Sequence, residues 1–241
     1  MTDNTDPNTP SNQHDVSHPK RIKSFVLRTG RMTTGQQAAY DSGMPLFGLQ
    51  LDDGLISPDS TFGRAGSLNL EIGFGMGDSL AMMALGAPNE NFIGIEVHTP
   101  GVGKLLQIMQ QDQIDNIRVY ECDAIDVLNL CIPDHSIDRL QIYFPDPWHK
   151  TKHHKRRLIN DGFLDLARQK LIHGGLIHVA TDWEDYAKHC LSVFSKRDDF
   201  VNQSSSPSGY CDKPLWRPET KFERRGMGLG HSVFDLLLTS K

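Results

Sequence analysis

The chain has 241 residues, 38% hydrophobic and 23% charged, the proportions of an ordinary soluble globular protein long enough to bury a sizeable core. Its 25 Lys and Arg against 30 Asp and Glu leave a net charge of -5, which excludes bulk adhesion to nucleic acid and requires any polyanion site to be local. No apolar run approaches the roughly 18 to 20 residues of a membrane span, the N-terminus has no hydrophobic signal core, and Cys122, Cys131, Cys190 and Cys211 show no C-x-x-C pairing, so a cytoplasmic protein with reduced thiols is expected.

Residues 1–18 are polar, contain proline and offer too little burial to offset ordering entropy, which predicts a disordered tail. The segment 20–40 mixes Lys20, Arg21, Lys23, Arg28 and Arg31 with Phe25, Val26 and Leu27, the pattern of an arm that packs on the body while showing a basic side. From Ser67 onward, short apolar runs predict strands at 68–72, 92–96, 117–121, 138–144 and 176–180, with a last strand in SVFDLLL at 232–238. Between them, 77–86, 100–111, 156–171 and 183–196 carry apolar residues at helical spacing. This alternation predicts one α/β domain over 19–241, a doubly wound, mostly parallel sheet with helices on both faces. No internal repeat is present. Ligands in such folds bind beyond the carboxyl ends of the strands.

The first of these strands runs into EIGFGMGD, with Gly73, Gly75 and Gly77 letting the backbone turn and approach a ligand ahead of a helix N-terminus. A dinucleotide fingerprint would place a third glycine where Asp78 stands and keep the position of Glu71 apolar. A diphosphate would be repelled by these acids, whereas S-adenosylmethionine, with an ammonium and a sulfonium and no phosphate, suits them. Glu96 ends the next strand, where ribose hydroxyls need an acceptor, and Asp123 follows the third, where an adenine amino group would donate.

FPDPW follows the next strand at the same edge, its prolines holding Asp146 and Trp148 in one geometry. The eight residues after it, 150–157, contain five lysines and arginines, the charge a phosphate-rich substrate requires, and Trp148 or Tyr143 offers a ring for a base to stack on. Asp182, in ATDW, comes after another strand end, where capping the next helix is the alternative use of its carboxylate. Thr220, Lys221, Phe222 and Glu223 bring donors, an acceptor and a ring together in a loop rich in arginine. His149 and His153 have the spacing of a metal pair without an evident third ligand, so no metal is expected.

GFGMG, GIEVHTPGVG, FPDPWHKTKHHKRR, ATDWEDYA and TKFERRG with LGH together resemble the bacterial tRNA (guanine-N7)-methyltransferase family, from about residue 20 to the end. The resemblance implies a Rossmann-like class I S-adenosylmethionine-dependent methyltransferase that modifies the variable-loop guanosine at tRNA position 46. It also implies that Glu71, Glu96, Asp123 and Asp146 contact the cofactor, with Asp146 catalytic. Lys150, Asp182 and 220–223 are then substrate-contacting, and Lys152, Lys155, Arg156 and Arg157 RNA-contacting. An exocyclic-amino methyltransferase, a nicotinamide-dependent oxidoreductase and a non-catalytic RNA-binding protein stand as alternatives.

Overall fold

The computed structural model describes residues 22–26, 30–219, 223 and 232–241; the polar tail at 1–18, the basic residues Lys20, Arg21 and Arg28, and Thr220, Lys221 and Phe222 lie outside them. Among the described residues eight strands form one sheet, β1 (Gly48–Leu49), β2 (Leu68–Ile72), β3 (Asn91–Ile95), β4 (Ile117–Tyr120), β5 (Ile137–Tyr143), β6 (Leu171–Thr181), β7 (Phe200–Asn202) and β8 (Phe234–Ser240). They lie in the order β1-β4-β3-β2-β5-β6-β8-β7. All pairs from β1 to β6 are parallel, and β8 runs antiparallel to both β6 and β7. β2 and β3 are buried at every position, as strands covered on both faces must be. The two short edge strands, β1 and β7, escape sequence reading because two or three residues carry no period.

Helices α3 (Asp78–Gly86), α4 (Thr99–Asp112) and α7 (Glu184–Phe194) stand where the apolar spacing predicts them. The predicted helix at 156–171 begins only at Asp161, as α6 (Asp161–Lys170), because Asn160 caps it by accepting from Phe163 N at 3.1 Å. Three helices lack a clear sequence signal, α1 (Thr34–Phe47), α2 (Pro58–Phe62) and α5 (Ala124–Leu130). α1 replaces the second half of the expected arm. Its start is a reciprocal cap between Thr33 and Gln36, and Gly43 lets it lie directly against Leu106 of α4. Tyr40 then reaches Glu121 at the end of β4 with a 2.7 Å hydrogen bond. Among the described residues no helix is long and apolar enough to cross a membrane.

The two faces of the sheet differ. On one, Leu70, Ile93, Leu140, Ile177 and Leu236 pack with Leu128, Phe163 and Tyr186 of α5, α6 and α7. On the other, Phe92, Ile117 and Val119 pack under α1, α3 and α4. That second face turns polar toward β5, β6 and β8, where Glu71 is in register with Gln141 and Gln141 with His178. Successive strands leave β2 in opposite directions, to β3 and to β5, so the switch point lies at the carboxyl end of β2.

Candidate active site

At that switch point Gly73, Gly75 and Gly77 have φ of 75°, 59° and 80°, the left-handed region open to glycine. Gly101, at the start of α4, is required by contact: a Cβ there would sit 2.0 Å from the Gly75 carbonyl oxygen. Glu96 holds this turn from β3, its carboxylate accepting from Gly75 N at 2.8 Å, Val97 N at 2.7 Å and His98 N at 3.0 Å. The expected ribose acceptor is therefore also the brace of the glycine loop. A carboxylate offers about four acceptor sites, so three backbone bonds leave room for a ligand hydroxyl. Asp123 caps α5 by accepting from Ile125 N at 3.0 Å.

Two adjoining cavities open here. One, of about 230 Å³, is lined by Gly73, Glu96, Asp123 and Asp146, and by Ser24 and Phe25 of the N-terminal segment. The other, of about 450 Å³, is lined by Glu71, the glycine loop, Asp78 and Arg217. They share Gly73, Tyr143 and Phe144, and each is lined by carboxylates. Their combined size suits a small-molecule site of about 300 to 1,000 Å³. Glu71 is 2% exposed, and its Oε2 has no hydrogen-bond partner among the described residues. Burial, then the neighbouring Glu96 charge, pushes its pKa up to about 8. Among the described residues the one cation lining either cavity, Arg217, is already paired with Glu223 and Asp235. A buried acid without a partner beside a cleft of carboxylates fits a cationic ligand and opposes a diphosphate.

The loop after β5 is held in an unusual shape. Phe144 and Trp148, both bulky, have φ of 49° and 50° and bracket Pro145, Asp146 and Pro147. Such conformations cost on the order of 1 to 3 kcal/mol each and persist where surroundings enforce them. Here Phe144 N donates to Ala180 O at 2.8 Å, Arg157 Nε to Pro147 O at 3.0 Å, and Trp148 Nε1 to Ser24 O at 3.0 Å. Asp146 stands exposed at the cavity rim, and its carboxylate accepts no hydrogen bond among the described residues. Trp148 is not an open stacking platform as expected, because the Arg156 guanidinium covers its face at 4.0 Å and His153 meets it edge-on. Tyr143 is 8% exposed, its hydroxyl engaged with Gln141 at 2.9 Å and His178 at 3.0 Å.

The basic run forms a 3-10 helix, Thr151–Arg156, that divides its charges between two tasks. Lys150, Lys152 and Lys155 are exposed. Arg156 is half-buried and donates to Phe25 O at 2.7 Å. Arg157 is 3% exposed and binds Pro147 O, His154 and Asp185. Sequence reading places Arg157 on RNA; the structure makes it the anchor of the Asp146 loop. His149 packs on Trp183 and His153 on Trp148, two different rings.

A family model described as "Putative methyltransferase" matches residues 65–236, more than half of the chain. The tRNA (guanine-N(7)-)-methyltransferase of Marinobacter nauticus is 53% identical over 97% of this chain and 98% of its own, and that of Alcanivorax borkumensis 52% over 92% of each. The chain belongs to the tRNA (guanine-N(7)-)-methyltransferase family. Its fold is shared more widely. TrmN from Thermus thermophilus superposes with a TM-score of 0.51 at 15% identity over 86% of this chain and 48% of its own. The 16S rRNA methyltransferase KamB does so with 0.52 at 11% over 89% and 96%. The architecture is the Rossmann-like class I S-adenosylmethionine-dependent methyltransferase fold.

Within this family member, Asp182 does not cap α7. Thr181 Oγ1 takes the Trp183 N-H at 3.2 Å instead, and the half-buried Asp182 carboxylate accepts no hydrogen bond among the described residues. Glu223 is 4% exposed and gripped by Arg217, a residue sequence reading passed over. Its only local signal is opposite charge six residues before Glu223. Tyr143, His178 and Asp235 form a buried network beside it that no motif announced.

Proposed function

We propose that the protein transfers a methyl group to N7 of guanine in tRNA with S-adenosylmethionine as donor, the variable-loop guanosine at position 46 being the target. The observation that carries this reading is the placement of Asp146, exposed on a clamped loop, between a cleft lined by carboxylates and the exposed lysines of the 3-10 helix. The names of the relatives support the base and the RNA. The target position rests on motif resemblance.

S-adenosylmethionine, when bound, supplies an electrophilic methyl on a sulfonium. Glu71 would receive its ammonium, Glu96 its ribose hydroxyls and Asp123 its adenine amino group, over the backbone of Gly73, Gly75 and Gly77. Lys150 and Asp182 would contact the substrate, a role that motif resemblance also gives to Thr220, Lys221, Phe222 and Glu223. Lys152, Lys155 and the outer part of Arg156 meet phosphates, where association is governed by counterion release. Guanine N7 carries an in-plane lone pair, so no proton has to leave before attack. Alignment of two bound reactants supplies up to about 7 to 11 kcal/mol, against a factor of about 10² to 10⁴ for proton transfer. Asp146 therefore orients the base and stabilises positive charge arriving on the purine, without acting as an obligatory base.

The deciding experiment incubates unmodified tRNA with labelled S-adenosylmethionine and maps the product. 7-Methylguanosine in the variable loop is expected. N-methylated adenosine would indicate an exocyclic-amino enzyme, and tRNA binding without transfer a non-catalytic protein. Calorimetry with S-adenosylhomocysteine and NAD separates the oxidoreductase reading.

A further inference from the structure

Trp183 is an exposed ring beside the Asp146 loop. Strands β5 and β6 run parallel with Tyr143 opposite Ala180, so the Asp146 loop and the turn at Asp182 leave the same end of the sheet from neighbouring positions. His149, three residues beyond Asp146, closes the gap between them, its ring centre 4.2 Å from that of Trp183 and its plane at 73°. Arg157 ties the two segments a second time, donating to Pro147 O at 3.0 Å and to Asp185 in the first turn of α7. The backbone of Trp183 is fixed as well, since it is the N-cap residue of α7. Its N-H donates to Thr181 Oγ1 at 3.2 Å and its carbonyl accepts from Ala187 N at 2.9 Å.

A tryptophan held this firmly is ordinarily covered, yet Trp183 is 40% exposed. Among the described residues its indole N-H donates no hydrogen bond, and no ring or guanidinium other than His149 meets it. The other tryptophans and Tyr143 are not free in this way. Trp148 carries Arg156 on its face, Trp216 is in contact with the Arg139 guanidinium at 5.2 Å, and Tyr143 is buried. Trp183 lines neither cofactor cavity, so its partner arrives from the surface. Exposed cations adjoin it there, for Lys150 follows His149 in the chain and Lys152 and Lys155 come after. The acids of the first turn of α7 are already paired, Asp185 with Arg157 and Glu184 with Lys188 at 2.7 Å, and do not oppose a polyanion with free charge. An open ring beside a row of cations is the combination that holds unpaired nucleic acid, the cations following the backbone while the ring stacks a base.

We infer that Trp183, braced by His149, is the stacking platform for an unpaired base of the tRNA, the guanine to be methylated or a nucleotide next to it. The inference rests on the tRNA reading above and adds the residue that takes the face of a base. Every base has a face to stack, so Trp183 contributes affinity and offsets the cost of unstacking, and leaves the choice of base to other residues.

The test measures tRNA affinity of the full chain and of Trp183→Ala and Trp183→Phe, with S-adenosylhomocysteine present. The RNAs are intact tRNA and tRNAs lacking the base at the target position or at either neighbour. Trp183→Ala is expected to weaken binding of intact tRNA about 5- to 150-fold, the loss of one stack, at an unchanged slope of log affinity against log salt, because no phosphate contact is removed. Trp183→Phe, which keeps a ring, should recover most of that loss. On the tRNA that lacks the stacked base, the unmutated protein and Trp183→Ala should agree within about twofold, and the position where they agree identifies the base. Undiminished affinity of Trp183→Ala, a flattened salt slope, or the same loss on every tRNA would overturn the inference. Should Trp183→Ala fail to fold, Trp183→Leu keeps an apolar body without a ring: weakened binding confined to tRNAs that carry the stacked base upholds the inference, and undiminished binding refutes it. Failure of the tRNA reading looks different, since the unmutated protein would then bind intact tRNA no more tightly than an unrelated RNA of the same length.

Discussion

On the β2 and β3 side of the cleft, position is set by backbone. Glycines with positive φ, a contact that admits no Cβ and three N-H bonds to Glu96 hold the loop within a span of some thirty residues. On the β5, β6 and β8 side, position is set by side-chain clamps whose partners lie from 6 to 124 residues apart. Arg157 holds Pro147, Trp148 holds Ser24, and Arg217 holds Glu223 against Asp235. A backbone-built wall resists most single substitutions except at its glycines. A wall built from buried charges and strained non-glycine residues depends on each clamp separately, and that side carries the proposed chemistry.

The sharpest break in this comparison should come at Asp146, which is itself exposed and takes part in no clamp. Asp146→Ala is expected to lower single-turnover methylation by about 10² to 10³, the cost of one preorganised electrostatic group. Asp146→Asn, which keeps the hydrogen-bonding shape without the charge, should fall between. Full activity of the alanine variant with both substrates saturating would remove Asp146 from the reaction.

Next in size is Arg157, where the clamp itself is tested. Arg157→Ala should lower folding stability by about 1.5 to 3 kcal/mol, the range for hydrogen bonds to charged groups, as measured by urea denaturation. It should leave the salt dependence of tRNA binding unchanged. A flattened salt slope with undiminished stability would return Arg157 to the RNA interface.

Glu71 tests the other wall through pH. With its folded pKa near 8 against an ordinary 4.5, the folded chain keeps a proton that the unfolded chain gives up. Its contribution is complete below about pH 4.5 and is lost as pH rises toward 8, by about 1.4 kcal/mol per unit within that window. Glu71→Gln should abolish this slope, and the difference between the two proteins from pH 6 to 8 cancels histidine titrations they share. Parallel stability curves would show that Glu71 is ionised in the folded protein.

The smallest effect belongs to the exposed lysines. Lys152→Ala and Lys155→Ala should each reduce the slope of log affinity for tRNA against log salt by about 0.7 to 0.9, without changing stability. Unchanged slopes would place the RNA path elsewhere.

Much of this molecule is readable from local sequence. Five apolar runs, the glycine turn and the acids after successive strands specify a doubly wound sheet with a ligand site at its switch point, because strand period, turn chemistry and strand ends are properties of adjacent residues. Helix α1 was hidden by its context: its cap at Thr33 and Gln36 is local, but its reason to be ordered is the surface of α4 and Glu121. The basic run shows the same limit more strongly. Its five charges look equivalent in sequence, yet burial separates Arg157 from Lys152 and Lys155. Sequence by itself determined the fold, the family motifs and the concentration of acids at one sheet edge. Only tertiary structure decided which cations face solvent, that Trp148 is covered, and that Arg217 reaches Glu223 and Asp235 together. The physical reason is that these outcomes depend on desolvation and on partners brought close by folding, and neither is a property of neighbours along the chain.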